Sequence, residues 1–170
     1  MNLRRALRLA RKFATTADKA LKTLDAPAPT RASTLRGVPP KVRGDATWQD
    51  YEEAAAAYLR QLGYQNVIGN QAGSDGGLDV RVPGLLVGQV KFEQSKTGRP
   101  VVMQIFGVAA QQRVQALCFS HAGYTKQAIT WANEAPVALF VLRYERSKKR
   151  WEIRPANGRA KGLQRGPGVQ

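Results

Sequence analysis

Gly73-Ser74-Asp75-Gly76-Gly77-Leu78-Asp79-Val80-Arg81-Val82, then Pro83-Gly84, then Leu85-Leu86-Val87-Gly88-Gln89-Val90-Lys91-Phe92 is the stretch on which the fold turns. Its glycine-rich start reads as a loop with several positions free to take positive φ, and Asp75 suits a loop-forming role by bonding its own backbone. Leu78 to Val82 alternates, Pro83-Gly84 marks a turn, and Leu85 to Phe92 forms a second run, so two strands joined by a tight turn are predicted. On the second strand Val87, Gln89 and Lys91 share one face, while Leu86, Val90 and Phe92 share the other. Asp79 interrupts an apolar strand, and Gln89 and Lys91 project side by side from the next.

Working outward, Thr47 followed by Asp50 predicts a helix start, with the carboxylate near the positive end of the helix. Tyr51, Ala55, Tyr58, Leu59 and Leu62 follow at helical spacing, and Gly63 ends the element. Val67-Ile68 reads as a short strand. Pro100 opens a helix to about Gln112, apolar on most sides and therefore expected to be buried. Ala116 to Phe119 reads as a strand, Thr125 to Asn133 as a helix and Val137 to Leu142 as a strand. Trp151 to Arg154 is expected to form a hairpin with it across the charged turn Glu145 to Arg150. This order predicts an α/β domain, a mixed β-sheet flanked by helices. Three domains of organisation follow: a basic amphipathic helix and Pro-rich linker over 1–43, the α/β domain over 44–154 and a basic flexible tail over 155–170.

Charge follows the same division. Of a formal +15 over 170 residues, residues 1–43 hold 11 Lys+Arg and 2 Asp+Glu, residues 44–142 hold 7 and 8, and residues 143–170 hold 9 and 2. A near-neutral core between basic arms suits a polyanionic partner, because each phosphate contact releases counterions whatever the sequence. In the first arm Leu3, Leu7, Ala10, Ala14, Ala17, Leu21 and Leu24 make a heptad-like stripe, with Arg4, Arg5, Arg8, Arg11 and Lys12 among the residues around it. Solvated tails, an organelle transit peptide and a membrane-surface helix are alternative readings of that arm. No run approaches the roughly 18 consecutive apolar residues of a spanning helix. The single Cys118 excludes a disulfide framework and a multi-thiolate zinc site. A cytoplasmic protein is the expectation.

Phosphate-cradling, dinucleotide and Gly-x-Ser-x-Gly motifs are all missing. His121, the only histidine, reads as a surface or loop residue at a strand end, Cys118 as core, and the tryptophans and tyrosines as packing. Asp79 is a hard oxygen ligand suited to Mg²⁺. Lys91 supplies a positive charge able to orient water or to stabilise a phosphate as charge builds in the transition state. By spacing alone, however, any half-exposed hairpin carries such residues.

Four pieces in register add a resemblance over about residues 47–142. Tyr51-Glu52-Glu53-Ala54 through Leu62-Gly63-Tyr64 resembles the opening helix of the Mrr-like restriction endonucleases. Gly73 to Val80 is similar to that family's Asp-x-Gly-x-Asp loop and strand. Gln89-Val90-Lys91 resembles its Gln-x-Lys form of the PD-(D/E)xK nuclease motif, and Tyr124 to Ala128, with Ala132, its later aromatic-Thr-x-x-Ala helix. The resemblance implies a restriction-endonuclease-like fold and divalent-metal hydrolysis of DNA phosphodiester bonds, with Mg²⁺, or Mn²⁺ in its place, as cofactor. It implies Asp79, Glu52 and the Val90 backbone carbonyl as metal ligands, Gln89 at the second acidic position and Lys91 as the catalytic lysine. Glu52 is preferred over Glu53 because the residues four and seven beyond it are Ala56 and Leu59. DNA is the expected partner, held by the basic arm and by Lys148, Lys149 and Arg150. A homodimer or a separate recognition subunit is left open, with relaxed specificity the alternative. A second reading is a nuclease-fold DNA-binding module that is weak or inactive by itself and acts within a larger complex.

Overall fold

A computed structural model describes residues 39–69 and 78–164 of the chain. The helix α1, Trp48–Gln61, starts where the sequence predicts. The Thr47 hydroxyl accepts the Asp50 N–H at 3.3 Å and the Asp50 carboxylate accepts the Thr47 N–H at 2.7 Å, a reciprocal cap worth about 1 kcal/mol. Next come β1 (Val80–Val82), β2 (Leu86–Lys91), α2 (Arg99–Gln112), β3 (Gln115–Ser120), α3 (Lys126–Glu134), β4 (Val137–Glu145), a 3₁₀ turn (Arg146–Lys148), β5 (Arg150–Pro155) and α4 (Gly158–Leu163).

The five strands lie in chain order across one sheet. β2, β3 and β4 are parallel, and an antiparallel hairpin closes each edge, β1 on β2 and β5 on β4. The parallel strands alternate with α2 and α3, which supply the crossovers that parallel pairing needs. This is the mixed, helix-flanked sheet expected. Gly84, at φ +72, turns the chain between β1 and β2, and the Leu85 N–H closes that turn on Val82.

Side-chain alternation sends the strands' apolar residues to two cores. On one face α1 and α4 cover Val80, Val82, Leu86, Leu117, Phe119, Phe140 and Leu142. Phe119 and Phe140 stack at 5.2 Å there. On the other face α2 and α3 cover Val87, Ala116, Cys118, Val137 and Leu139. Ala54 to Ala57 are all buried, and these small side chains keep α1 close to the sheet. Gly88 is required between β1 and β3: a Cβ there would sit 2.8 Å from Val80 Cγ1 and 3.2 Å from Leu117 Cβ.

Four local expectations change. α2 buries only one stripe, Val102, Ile105 and Ala109, so Met103 is 38% exposed and the helix is a surface helix rather than a buried one. Residues 67 and 68 contribute a single bridge, Ile68 to Arg81, instead of a strand. Trp48 is 48% exposed at the start of α1 and does not pack in the core. Finally, part of the stretch read as a flexible tail is built into the domain. The buried Asn157 caps α4, accepting the Ala160 and Leu139 N–H groups through Oδ1 and donating to the Val137 carbonyl. Ala160 is fully buried beneath it.

Candidate active site

β1 stops pairing at Val80, opposite Gly88. One residue earlier, the Asp79 N–H still reaches the Gly88 carbonyl at 3.0 Å, but the Val90 N–H has no β1 backbone to meet. The Asp79 carboxylate takes that place, accepting the Val90 N–H at 2.7 Å. The N–H and C=O of one strand residue point to the same side, so the Val90 carbonyl is directed to this same open edge. Burial pushes the Asp79 carboxyl above its ordinary range, while the Val90 N–H, the Lys91 ammonium and a hydrogen bond with Glu52 pull it back.

Glu52 therefore meets Asp79 from α1, coming from outside the β1–β2 hairpin. It is buried at 8% exposure, whereas Glu53 faces solvent, in line with the preference for Glu52. Gln89 is equally buried, and its Oε1 has no hydrogen-bond partner among the described residues. An orphaned buried amide oxygen costs about 1–3 kcal/mol. Register places Gln89 across from the half-buried Asp79, one position beyond the Val80–Gly88 pair, with the half-buried Lys91 two residues on along the same strand. Two carboxylates, an amide oxygen and a main-chain carbonyl form a set of hard oxygen donors, the kind that Mg²⁺ and Mn²⁺ accept. The donor set fits a small divalent cation, although no cluster of three or more His, Cys, Asp or Glu side chains exists among the described residues.

A family model described as restriction endonuclease, Mrr_cat, matches residues 44–143. The chain belongs to that family. The match covers α1 through most of β4, the elements that deliver Glu52, Asp79, Gln89 and Lys91. No curated protein and no solved structure matches.

In this Mrr-type domain the charged turn between β4 and β5 carries Lys148, Lys149 and Arg150 at the same end of the sheet as Lys91, since β2, β3 and β4 are parallel. β2 and β4 are two strand spacings apart, about 10 Å. Lys148 and Arg150 both pair with Glu145, at 2.7 and 3.2 Å. Arg4, Arg5, Arg8, Arg11, Lys12 and Asp75 lie outside the described residues.

Cys118 is fully buried and its thiol is pushed up to about 12 by burial, which fits a core residue and not a thiolate nucleophile. His121, expected as a surface or loop residue at a strand end, lies in a bend and is half-buried. It directly follows β3, with its N–H on the Lys91 carbonyl at 2.9 Å and its Nδ1 2.7 Å from the Tyr51 hydroxyl. Tyr51 is 70 residues away in sequence, so no spacing rule could connect the two. Among the described residues no helix is long and apolar enough to cross a membrane.

Proposed function

We propose that this Mrr-type protein is a divalent-metal-dependent DNA endonuclease whose site is Asp79, Glu52, Gln89, the Val90 carbonyl and Lys91. The observation that carries the reading is the open end of the β1–β2 hairpin. There the half-buried Asp79 carboxylate, the buried Glu52 carboxylate and an amide oxygen with no partner among the described residues stand beside a lysine, all within the residues that match the family. Mg²⁺, or Mn²⁺ in its place, would be held by Asp79, Glu52 and the Val90 carbonyl with Gln89 at the fourth position, and it supplies Lewis acidity and neutralises phosphate charge.

The protein's own groups do the rest. Asp79 is fixed by the Val90 N–H, so its position does not depend on a flexible rotamer. Lys91 orients the attacking water and stabilises the negative charge that builds on the phosphoryl oxygens. In-line displacement of the 3′ oxygen leaves a 5′-phosphate. Phosphate groups away from the cut are held by Lys148, Lys149 and Arg150 and by Arg4, Arg5, Arg8, Arg11 and Lys12 of the N-terminal arm. Such contacts carry no sequence information, which supports relaxed specificity or a separate recognition subunit; a homodimer would bring two sites to one duplex. Gln89, neutral where a second carboxylate would strengthen the metal site, favours the binding-module reading as the runner-up.

The test is a cleavage panel of plain, methylated and branched DNA and of RNA, with Mg²⁺, Mn²⁺ or EDTA. Metal-dependent cutting that leaves 5′-phosphates on at least one DNA is expected. Binding without cleavage of any substrate would replace this proposal with the binding module.

A further inference from the structure

His121 is fixed on both sides of its ring. Its main-chain N–H is bonded to the Lys91 carbonyl, and the Arg143 Nε donates to its carbonyl at 3.1 Å. The imidazole lies against Tyr51 and Phe92, with ring centroids 5.3 and 5.6 Å away. Tyr51 is itself held by Trp151, 4.8 Å away and edge-on.

The hydrogen bonds around Tyr51 favour one position for the imidazole proton. The Tyr51 oxygen accepts the Tyr144 N–H at 3.3 Å, and a main-chain N–H can only donate. That leaves the single hydroxyl proton of Tyr51 to point to the other neighbour, His121 Nδ1, at 2.7 Å, the arrangement that uses the hydroxyl once as acceptor and once as donor. An Nδ1 that accepts requires the neutral ring to carry its proton on Nε2. Burial, with Arg143 adding to it, lowers the His121 pKa and so favours the neutral ring. The ring is half-buried, and among the described residues Nε2 has no protein partner.

We propose that His121 is a substrate contact. Its Nε2–H, held in one tautomer by Tyr51, donates to a non-bridging oxygen of a DNA backbone phosphate next to the one that is cut. An acceptor rich in negative charge suits this donor, because the neighbouring Arg143 guanidinium adds positive charge and cannot itself accept a hydrogen bond. Tyr51 is the positioning residue. It sits on α1 immediately before Glu52, so a single helical turn holds both the metal-site carboxylate and the group that orients His121. Because the donor is neutral, it adds affinity without displacing a counterion, which separates it from the lysine and arginine contacts.

The inference rests on the nuclease reading for its substrate, and the test keeps the two apart. The full-length protein is assayed on a short mixed-sequence duplex, with binding and cleavage measured over a range of salt. The variants are His121→Phe, which keeps an aromatic ring in the cluster, His121→Gln, which keeps a donor near the Nε2 position, and Tyr51→Phe. His121→Phe is expected to raise KM and Kd about tenfold, with a much smaller change in kcat and an unchanged salt slope. His121→Gln should recover most of that loss, and Tyr51→Phe should fall between. The single histidine also gives one imidazole pattern in ¹⁵N NMR, expected to show the Nε2–H tautomer in the wild type and a mixture in Tyr51→Phe. A wild-type protein in the Nδ1–H tautomer would overturn the proposal. So would a His121→Phe protein within twofold of wild type in KM and Kd while Lys91→Ala still abolishes cutting, which fails the His121 contact alone. If wild type neither binds nor cuts the duplex under any condition, the nuclease reading and the contact fall together.

Discussion

The two hairpins that close the sheet use one topology for opposite electrostatic ends. β4–β5 pairs over six residues and turns through solvated charges, where Glu145 is matched by Lys148 and Arg150. β1–β2 pairs over only three, and its open end holds a half-buried carboxylate and a buried amide oxygen with no partner among the described residues. Charges in water cost little to keep and contribute little to stability. Polar groups taken out of water cost stability unless something answers them. The short hairpin is thus where the fold gives up stability, and the groups proposed to be reactive stand there.

The largest effect that sharpens this contrast comes from Asp79→Asn. It keeps an acceptor for the Val90 N–H but removes the charge, so cleavage should fall by about 10²–10³-fold, the scale of losing one electrostatic catalytic group. Because burial works against the ionised carboxylate, the melting temperature measured in EDTA should equal or exceed wild type. A variant that melts well below wild type would make Asp79 a structural residue and erase the difference between the hairpins.

Gly88→Ala attacks the same hairpin through packing. Its methyl would meet Val80 and Leu117, so a destabilisation of about 1–3 kcal/mol is expected in a urea titration. Stability within about 0.5 kcal/mol of wild type would contradict the close β1–β3 approach.

The triple variant Lys148→Ala, Lys149→Ala, Arg150→Ala probes the other hairpin. It should leave folding nearly unchanged, weaken DNA binding and lower the salt slope by about 2–3. An unchanged slope would remove this turn from the DNA surface.

The smallest effect belongs to Glu145→Gln. Its side-chain hydrogen bond from Lys148, with Arg150 adding to it, lowers the Glu145 pKa. A carboxylate lowered in the folded state stabilises above its unfolded value, about 4.3, and loses that contribution as pH falls through the folded value. A slight drop in melting temperature at neutral pH, erased in high salt or in acid, is expected. A large drop that salt does not change would show that the pair is screened from water.

Much of this organisation can be read from local chemistry. Thr47 and Asp50 announce the cap of α1, Pro83-Gly84 the tight turn, and the alternation around Gln89 and Lys91 the strand that carries them. Helical spacing also puts Glu52 on the covered face of α1 and Glu53 on the exposed one. The features that escaped depend on distant partners. α4, Gly158-Arg159-Ala160-Lys161-Gly162-Leu163, contains two glycines and has little helix propensity of its own; Asn157, bonded to β4, holds it in place. β4 runs on past Leu142, where the apolar run ends, to Glu145, because β5 supplies the pairing. Gly88 carries no local mark in the strand sequence, because what requires it is the approach of β1 and β3 on either side. His121 offered no signal because its partners, Tyr51 and Arg143, come from α1 and β4.

The central claim is that the open end of β1–β2 is a catalytic site, and single-turnover cleavage by Lys91→Ala at matched DNA occupancy tests it most directly. The account predicts a rate at least about 10²-fold below wild type, with DNA affinity and melting temperature kept. Cleavage by Lys91→Ala at the wild-type rate, with the same metal dependence, would contradict it.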